Sequence, residues 1–526
     1  MALTPYSGPW TKTQATHLLK RAVVGYKKDH ISWSVTNGLT ATIAGLLNPS
    51  SDNQPVAYNN DDPNTVIGQT WVNNFYPTTN QQPTFNARQK SLFAWMNERM
   101  YSGELSIRNK MTLFWSNHFG VNMENEPIIS YKYISLLRNN CLGNFKQLVK
   151  DVTVNPEMLL FLSGAYNTKY SPNENYAREL FELFTIGKGP QIGPGDYTNY
   201  TEEDIFQASK VLTGWTISNY MATAAQGAVA SSVFMPILHE TEPKQLSDKF
   251  DNAVITDNAD DEYKDLIDII FQQEQVARHI SRKLYRWFVN YDITPDVEAN
   301  IIQDMADLLI ANDYNISPVV SALLSSEHFF LDALRGTIVK DPVDFMATLF
   351  VSSDTSFTYD LETITEIYWN FHWSVASSGM NIGTPHEVAG WYPFYLLPAY
   401  SKLWINSARI KERSGFSWWV IYSGPVIGGQ TIRIDTLGFL DSLDYPNDDI
   451  EVVSELESMF CCKPLNATQR LYLRTLLHNG QGSNVWTMEY QNYISNPTNM
   501  SQVNLIRTRI NAVLSALYRM AEFHVI

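Results

Sequence analysis

Between Ser171 and Gly187 the chain spells out a helix together with both of its ends. Ser171 can accept from the backbone N–H of residue 174, and Glu174 can reach back to the N–H of Ser171. That is a capping box, with Pro172 at the first helical position, where its missing donor costs nothing. Gly187 can adopt the left-handed conformation that closes a helix. At ~100° per residue, Tyr176, Leu180, Phe181, Leu183 and Phe184 share one broad arc, while Asn175, Arg178, Glu179 and Glu182 share the opposite one. Arg178 stands four residues from both Glu174 and Glu182 and can bridge either.

Two readings of this charged arc follow. In one it is a solvated face with helix ion pairs worth ~0.3–0.5 kcal/mol each. In the other it turns inward to a polar chamber. Two carboxylates three residues apart, held by an Arg and an Asn, suit acid–base work or a hard cation. Glu174 is accounted for by the cap in both.

The same periodicity test predicts helices over most of the chain. They include 13–24, 39–47, 85–100, 107–119, 128–139, 145–152, 156–162, 263–271, 275–289, 297–312, 318–324 and 342–350, with more in the last ~70 residues. Thr201-Glu202-Glu203-Asp204 opens another, which stops near Gly214. Residues 48–85 are rich in Asn, Asp, Pro, Gln and Thr, too polar to pack alone. A β-hairpin is expected around Val233 to Phe250. Residues 370–410 look irregular, and 415–435 carry the best strand propensity. There is no fixed-period repeat and no clear linker. The expectation is a mainly α fold: one large multi-helical domain over 1–526 with long loops and a minor β-hairpin component, its lobes 1–410 and 411–526.

With 526 residues, 44% apolar, the chain can bury a large core. A formal charge of −16, with no Lys/Arg cluster to track phosphates, argues against nucleic acid as a partner. Three cysteines, two of them adjacent, make neither a disulfide framework nor a thiolate zinc site. No window of 18 continuous apolar residues exists, so no membrane span is expected. The N-terminus lacks a charged region followed by an apolar run, so no signal peptide is visible and a cytoplasmic location is the simple expectation.

Several islands, in order along the chain, resemble the bacterial family called domain of unknown function 1800 (DUF1800). They are His17-Leu18-Leu19-Lys20-Arg21-Ala22, Lys110 to Phe119 (KMTLFWSNHF), the Pro172 to Gly187 helix, and Tyr200 through Glu203-Asp204 to Leu212-Thr213-Gly214-Trp215. Later come Gly390-Trp391, Trp404-Ile405-Asn406-Ser407 with Arg409, and Ala521-Glu522-Phe523-His524. The resemblance implies a mostly helical fold and a neighbouring gene for a protein of the sulfatase/alkaline phosphatase class. It defines no reaction. The chain departs from the family pattern at His239-Glu240, where a His-Asp pair is usual, and at His386-Glu387, where no histidine is expected. It also lacks the export signal that many members carry.

The candidate catalytic residues are His118, Arg178, Glu179, Glu182 and His239. His118 follows Met111, Phe114 and Trp115 on an apolar face. It reads either as a core histidine bonded at both ring nitrogens or as a base or ligand. His239 sits on a turn after an apolar run, where it can face a cleft or simply lie at the surface. If His118, His239, Glu179 and Glu182 converge, two nitrogens and two carboxylates would hold a divalent metal ion such as Zn, Mn or Fe. HExxH, EF-hand and GxSxG motifs are absent. Arg286-Trp287-Phe288 reads as the end of an amphipathic helix with no part in chemistry. The enzyme expectation is a hydrolase-like protein acting on polymer-derived substrates. The alternative is a non-catalytic scaffold or partner of the sulfatase/phosphatase-like protein encoded nearby.

Overall fold

The computed structural model describes residues 3–526. Among them are 21 α-helices and four two-stranded antiparallel sheets, so the mainly α expectation stands. No helix among the described residues is long and apolar enough to cross a membrane. One cluster of buried apolar side chains runs from Leu18 to Phe523. Both ends of the chain are tied to one stretch: Tyr6 N–H donates to the Ser325 carbonyl at 2.8 Å, and Ile526 N–H to the Ile338 carbonyl at 2.8 Å.

Local signals held where nothing competed with them. Thr201 Oγ1 accepts from Asp204 N–H at 3.2 Å, and Asp204 Oδ2 takes the Thr201 N–H at 2.7 Å, which opens the Glu202–Val211 helix as expected. Other local signals lost to tertiary contacts. The capping box at Ser171 does not form. Ser171 pairs with Thr168 in a β-bridge, Glu174 turns to Arg178 at 3.1 Å, and the helix starts only at Asn175, whose N–H meets Asn173 Oδ1 at 2.9 Å. The first part of the 415–435 stretch, up to 422, is not strand but the end of a helix, Ser407–Tyr422. Asn406 caps it by accepting from Ala408 and Arg409 N–H at 3.1 and 2.9 Å, and its inner face buries Val420 and Ile421. Only Val426–Ile427 and Gln430–Thr431 pair beyond it. The hairpin expected at 233–250 becomes two sheets, Trp215–Ser218 with Ser231–Phe234 and Lys244–Gln245 with Val254–Ile255. Residues 370–410 are irregular only after the Leu361–Ser377 helix, which packs along Gln81–Met100.

Two helices set up the site. Arg108–His118 is anchored by Trp115, fully buried, whose Nε1 donates to the Cys141 carbonyl at 2.9 Å while its ring stacks on Phe145. That anchor places His118 at the helix end. Glu274–Phe288 buries Val276, Ala277, Ile280, Leu284 and Phe288 on one face. The 3.6-residue period then leaves His279, Lys283 and Arg286 together on the other.

The polar excursion after residue 48 is held by buried cations: Arg138 binds Asp52 at 2.6 Å, and Arg88 ties down the middle of the segment. Arg88 lies on the Gln81–Met100 helix and donates to Asp62 at 2.7 and 3.1 Å and to the carbonyls of Asn74 and Phe75 at 2.8 and 3.2 Å. Its guanidinium also stands over the Tyr76 ring. Breaking a buried pair leaves an uncompensated charge, which costs about 3–5 kcal/mol. Asp62→Ala is expected to lower unfolding stability in urea by that amount and to open residues 48–80 to limited proteolysis. A loss under 1 kcal/mol with unchanged protection would show that Arg88 does not carry this segment.

Candidate functional site

The helix that begins at Asn175 does not continue as an α-helix. After Glu179 it widens into a π turn, Leu180–Phe184. π turns interrupt the i→i−4 ladder and release main-chain groups for other partners. Gly187 N–H reaches back to the Phe181 carbonyl at 2.9 Å and closes the turn. Gly187 is required twice: its φ is +75°, and a Cβ there would sit 2.8 Å from His279 Nδ1.

The terminal carbonyls of Leu183 and Phe184, without donors in the helix itself, organise the surrounding side chains. His118 Nε2 lies 3.1 Å from the Phe184 oxygen, and His279 Nε2 lies 3.1 Å from the Leu183 oxygen. Lys283 Nζ donates to the same Leu183 oxygen at 2.9 Å and to His118 Nδ1 at 3.0 Å. A carbonyl only accepts, so His118 carries its hydrogen on Nε2 and offers the Nδ1 lone pair to lysine. Burial and the adjacent Lys283 charge push the His118 pKa far below the ordinary value, so the ring is neutral.

These groups line a cavity of about 240 Å³. Its walls are aromatic: Phe114 packs edge-on to Trp287, and Trp287 lies 4.3 Å from Phe394. The 389–401 segment forms the far side, and Asn117 fixes it there. Asn117 Oδ1 accepts from Trp391 N–H at 2.8 Å, close enough that a Cβ on Gly390 would stand 2.3 Å from that oxygen. Arg286 contributes a guanidinium beside the Tyr400 ring. Among the described residues, no carboxylate lines the cavity. Lys283 therefore meets neutral acceptors and, at longer range, another cation. Burial first, and Arg286 second, push its pKa down to about 7. His279, half-buried beside the same lysine, is pushed down to about 3 by desolvation and the Lys283 charge.

The expected site residues are distributed over separate environments. His118 lines this cavity. Glu182 lines an adjoining open groove that shares His279 as a wall. Its Oε1 accepts from Tyr200 Oη at 2.5 Å and from Lys188 at 2.9 Å. Arg178 binds Glu202 at 2.9 and 2.7 Å, Glu174 at 3.1 Å and, more loosely, Glu182 at 3.7 Å. Glu179 has no hydrogen-bond or ion-pair partner among the described residues. Desolvation and the charge of Glu182 raise its pKa. His239 is buried elsewhere. Its Nδ1 faces the Thr213 carbonyl at 2.9 Å and its Nε2 faces Glu262 at 2.9 Å, while Lys244 meets the other Glu262 oxygen at 2.6 Å. Burial alone would lower the His239 pKa, but the bonds to Glu262 and Thr213 outweigh it and the net shift is upward.

The expected four-ligand metal set is thus not assembled. Among the described residues, the one group of three or more candidate ligands within 4.8 Å of one another is His239, Asp257 and Glu262. Both nitrogens of His239 are committed to acceptors, and His118 Nδ1 faces an ammonium, so neither ring presents a free lone pair to a cation. The groups that sequence reasoning passed over are His279, Lys283 and Arg286. A signal existed: residues 279–287, HISRKLYRW, hold three Lys/Arg and a His with no acid to pair them on the same helical turns.

A family model described as "Protein of unknown function (DUF1800)" matches residues 17–524, and the chain belongs to that family. No curated protein and no solved structure matches it.

An exposed lysine titrates at ~10.4, whereas Lys283 is held at about 7. Between these values the unfolded chain binds the extra proton, so this lysine makes stability rise with pH across that window. Below the lower value the full cost of its buried charge is present. The stability of the wild type minus that of Lys283→Met is expected to increase from pH 7 toward pH 10. A difference that stays flat would place the lysine at its ordinary pKa.

Proposed function

We propose that this member of the DUF1800 family is an enzyme of acid–base type that acts on a small anionic substrate in the aromatic cavity beside the π turn. The observation that carries the reading is Lys283: a desolvated amine held by two neutral acceptors, opening on a cavity with no carboxylate. Amines tuned to titrate near neutral pH suit general-base work, because they are free to accept a proton at working pH. On this reading Lys283 takes a proton from the substrate or from an attacking water, and the ammonium so formed stands beside the developing negative charge. The hydrolytic class expected from the sequence is compatible with such a base.

Arg286 is assigned the anionic group of the substrate, since its guanidinium lines the cavity and no carboxylate pairs it. His118 is a positioning residue. Its neutral ring accepts from Lys283 and fixes the amine against the Leu183 carbonyl. The aromatic walls exclude water, which sustains the lowered pKa and favours a ligand with an apolar body. Glu182, with Arg178, is assigned to a surface network that supports the π turn from outside, and Glu179 is assigned no role.

The test is competitive acylation of all lysines across a pH series, read by peptide mass spectrometry. Lys283 is expected to titrate near pH 7 and to react at neutral pH at least tenfold faster than exposed lysines. A panel of small carboxylates should slow its labelling, their neutral amides should not, and Arg286→Met should abolish that protection. A Lys283 amine that titrates above pH 9.5, or labelling indifferent to carboxylates, would defeat the proposal.

A further inference from the structure

His279 is shared between two spaces. One is the Lys283 cavity, and the other is the open groove bordered by Glu182, with a volume of about 600 Å³. Small-molecule sites span roughly 300–1,000 Å³, so the groove has room for a ligand of its own. It runs between the turn at Gly187 and the start of the Glu274–Phe288 helix. His279 Nε2 is spent on the Leu183 carbonyl at 3.1 Å and so carries the ring hydrogen. Nδ1 keeps a lone pair, has no hydrogen-bond partner among the described residues and is not sealed from solvent. Gly187 has no side chain to cover it, since a Cβ there would stand 2.8 Å from that nitrogen.

The charged groups of the groove are already paired. Lys188 meets Glu182 at 2.9 Å, Arg282 donates to Glu298 at 2.9 and 3.1 Å, and Lys249 lies 3.3 Å from Asp196. An anionic ligand therefore meets no free cation. A cationic one meets no free carboxylate, since Glu182 is also held by Tyr200 at 2.5 Å. What remains unspent is neutral. Asn199 directs Nδ2 to the carbonyls of Ile186 and Gly187, at 3.3 and 2.9 Å, and presents Oδ1, which only accepts. The Gln273 and Gln275 amides and the Thr198 hydroxyl have no partner among the described residues, are open to solvent, and can both donate and accept. Two acceptor-only atoms, His279 Nδ1 and Asn199 Oδ1, call for a ligand that brings hydrogens. Hydroxyls do so without charge, and the same oxygens then accept from the amides. Among the described residues no Phe, Tyr or Trp lines the groove, so a nucleobase has nothing to stack on. Ile186 and Pro190 offer a short apolar strip suited to the C–H face of a sugar ring.

We infer that this groove binds a segment of neutral oligosaccharide, whose hydroxyls donate to His279 Nδ1 and Asn199 Oδ1 and pair with the Gln273, Gln275 and Thr198 side chains. Desolvation and the Lys283 charge hold the His279 ring neutral, so its lone pair persists across the physiological range. The groove is separate from the Lys283 amine, and the inference stands whether or not that amine is a base.

The experiment is calorimetric titration of the full chain with neutral hexasaccharides of glucose (α- and β-linked), mannose, galactose, xylose and N-acetylglucosamine. Hexagalacturonate serves as the charged counterpart of the galactose chain. At least one neutral hexasaccharide is expected to bind with a Kd below about 1 mM. Its affinity should change less than about twofold between ~0.05 and ~0.5 M NaCl, since no charge is there to screen. Gln275→Ala and Thr198→Val, both at the groove surface, should each weaken it about fivefold without moving Tm. Lys283→Met should leave it intact, which separates this site from the proposed reaction. The inference is overturned if no neutral hexasaccharide binds at that strength, or if hexagalacturonate binds more tightly than all of them. It is overturned equally if salt abolishes binding, if either groove variant keeps wild-type affinity, or if Lys283→Met loses the sugar.

Discussion

Two peptide carbonyls, those of Leu183 and Phe184, hold the candidate site together. The last carbonyls of any helix lack intrahelical donors. The π turn, followed by the positive φ of Gly187, ends the helix here, and these two carbonyls meet helices that are remote in sequence. Three side chains from two helices, His118, His279 and Lys283, converge on them. Each buried carbonyl needs a donor and each ring nitrogen needs a defined role, so one small backbone irregularity dictates a tautomer, a lysine position and one wall of a cavity. The turn is therefore the structural reason that the Pro172 to Gly187 segment carries so specific a sequence. Its carboxylates are peripheral to that reason.

A chain with a formal charge of −16 keeps two spaces lined by cations, the Lys283 cavity and one beside Lys20 and Arg335. Two acids close to them are already engaged: Glu182 by Tyr200 and Lys188, Glu457 by Arg470. Net charge describes the far field, whereas ligand choice depends on which groups are left without a partner at close range. At Lys283, desolvation is not offset by an ion pair. That imbalance is unfavourable for folding, and a bound anion would relieve it.

Helix positions were legible because apolar spacing and caps act within a few residues. The Thr201 box formed as read, and the amphipathic run after Gln275 buried the face it should. Readings failed where a local preference met a tertiary competitor. Ser171 was drawn into a bridge with Thr168, and the aromatic run around Trp418 and Trp419 was taken up by a helix capped at Asn406. At the site, His118 was named from its helix, but the partner that decides its chemistry lies 165 positions away. Arg286 was set aside as a helix end, since nothing nearby in the chain shows that it meets Tyr400 across a cavity.

By itself the sequence determined the helical class, most helix positions and the family, because periodicity, capping and motif order are properties of neighbouring residues. Only the tertiary structure decided which charges are paired and which are stranded. Pairing depends on contacts between segments hundreds of residues apart, and on whether water is there to stand in. Of the two carboxylates that looked reactive on the helical wheel, Glu182 found a lysine and an arginine nearby. The lysine that looked ordinary, Lys283, found no carboxylate among the described residues.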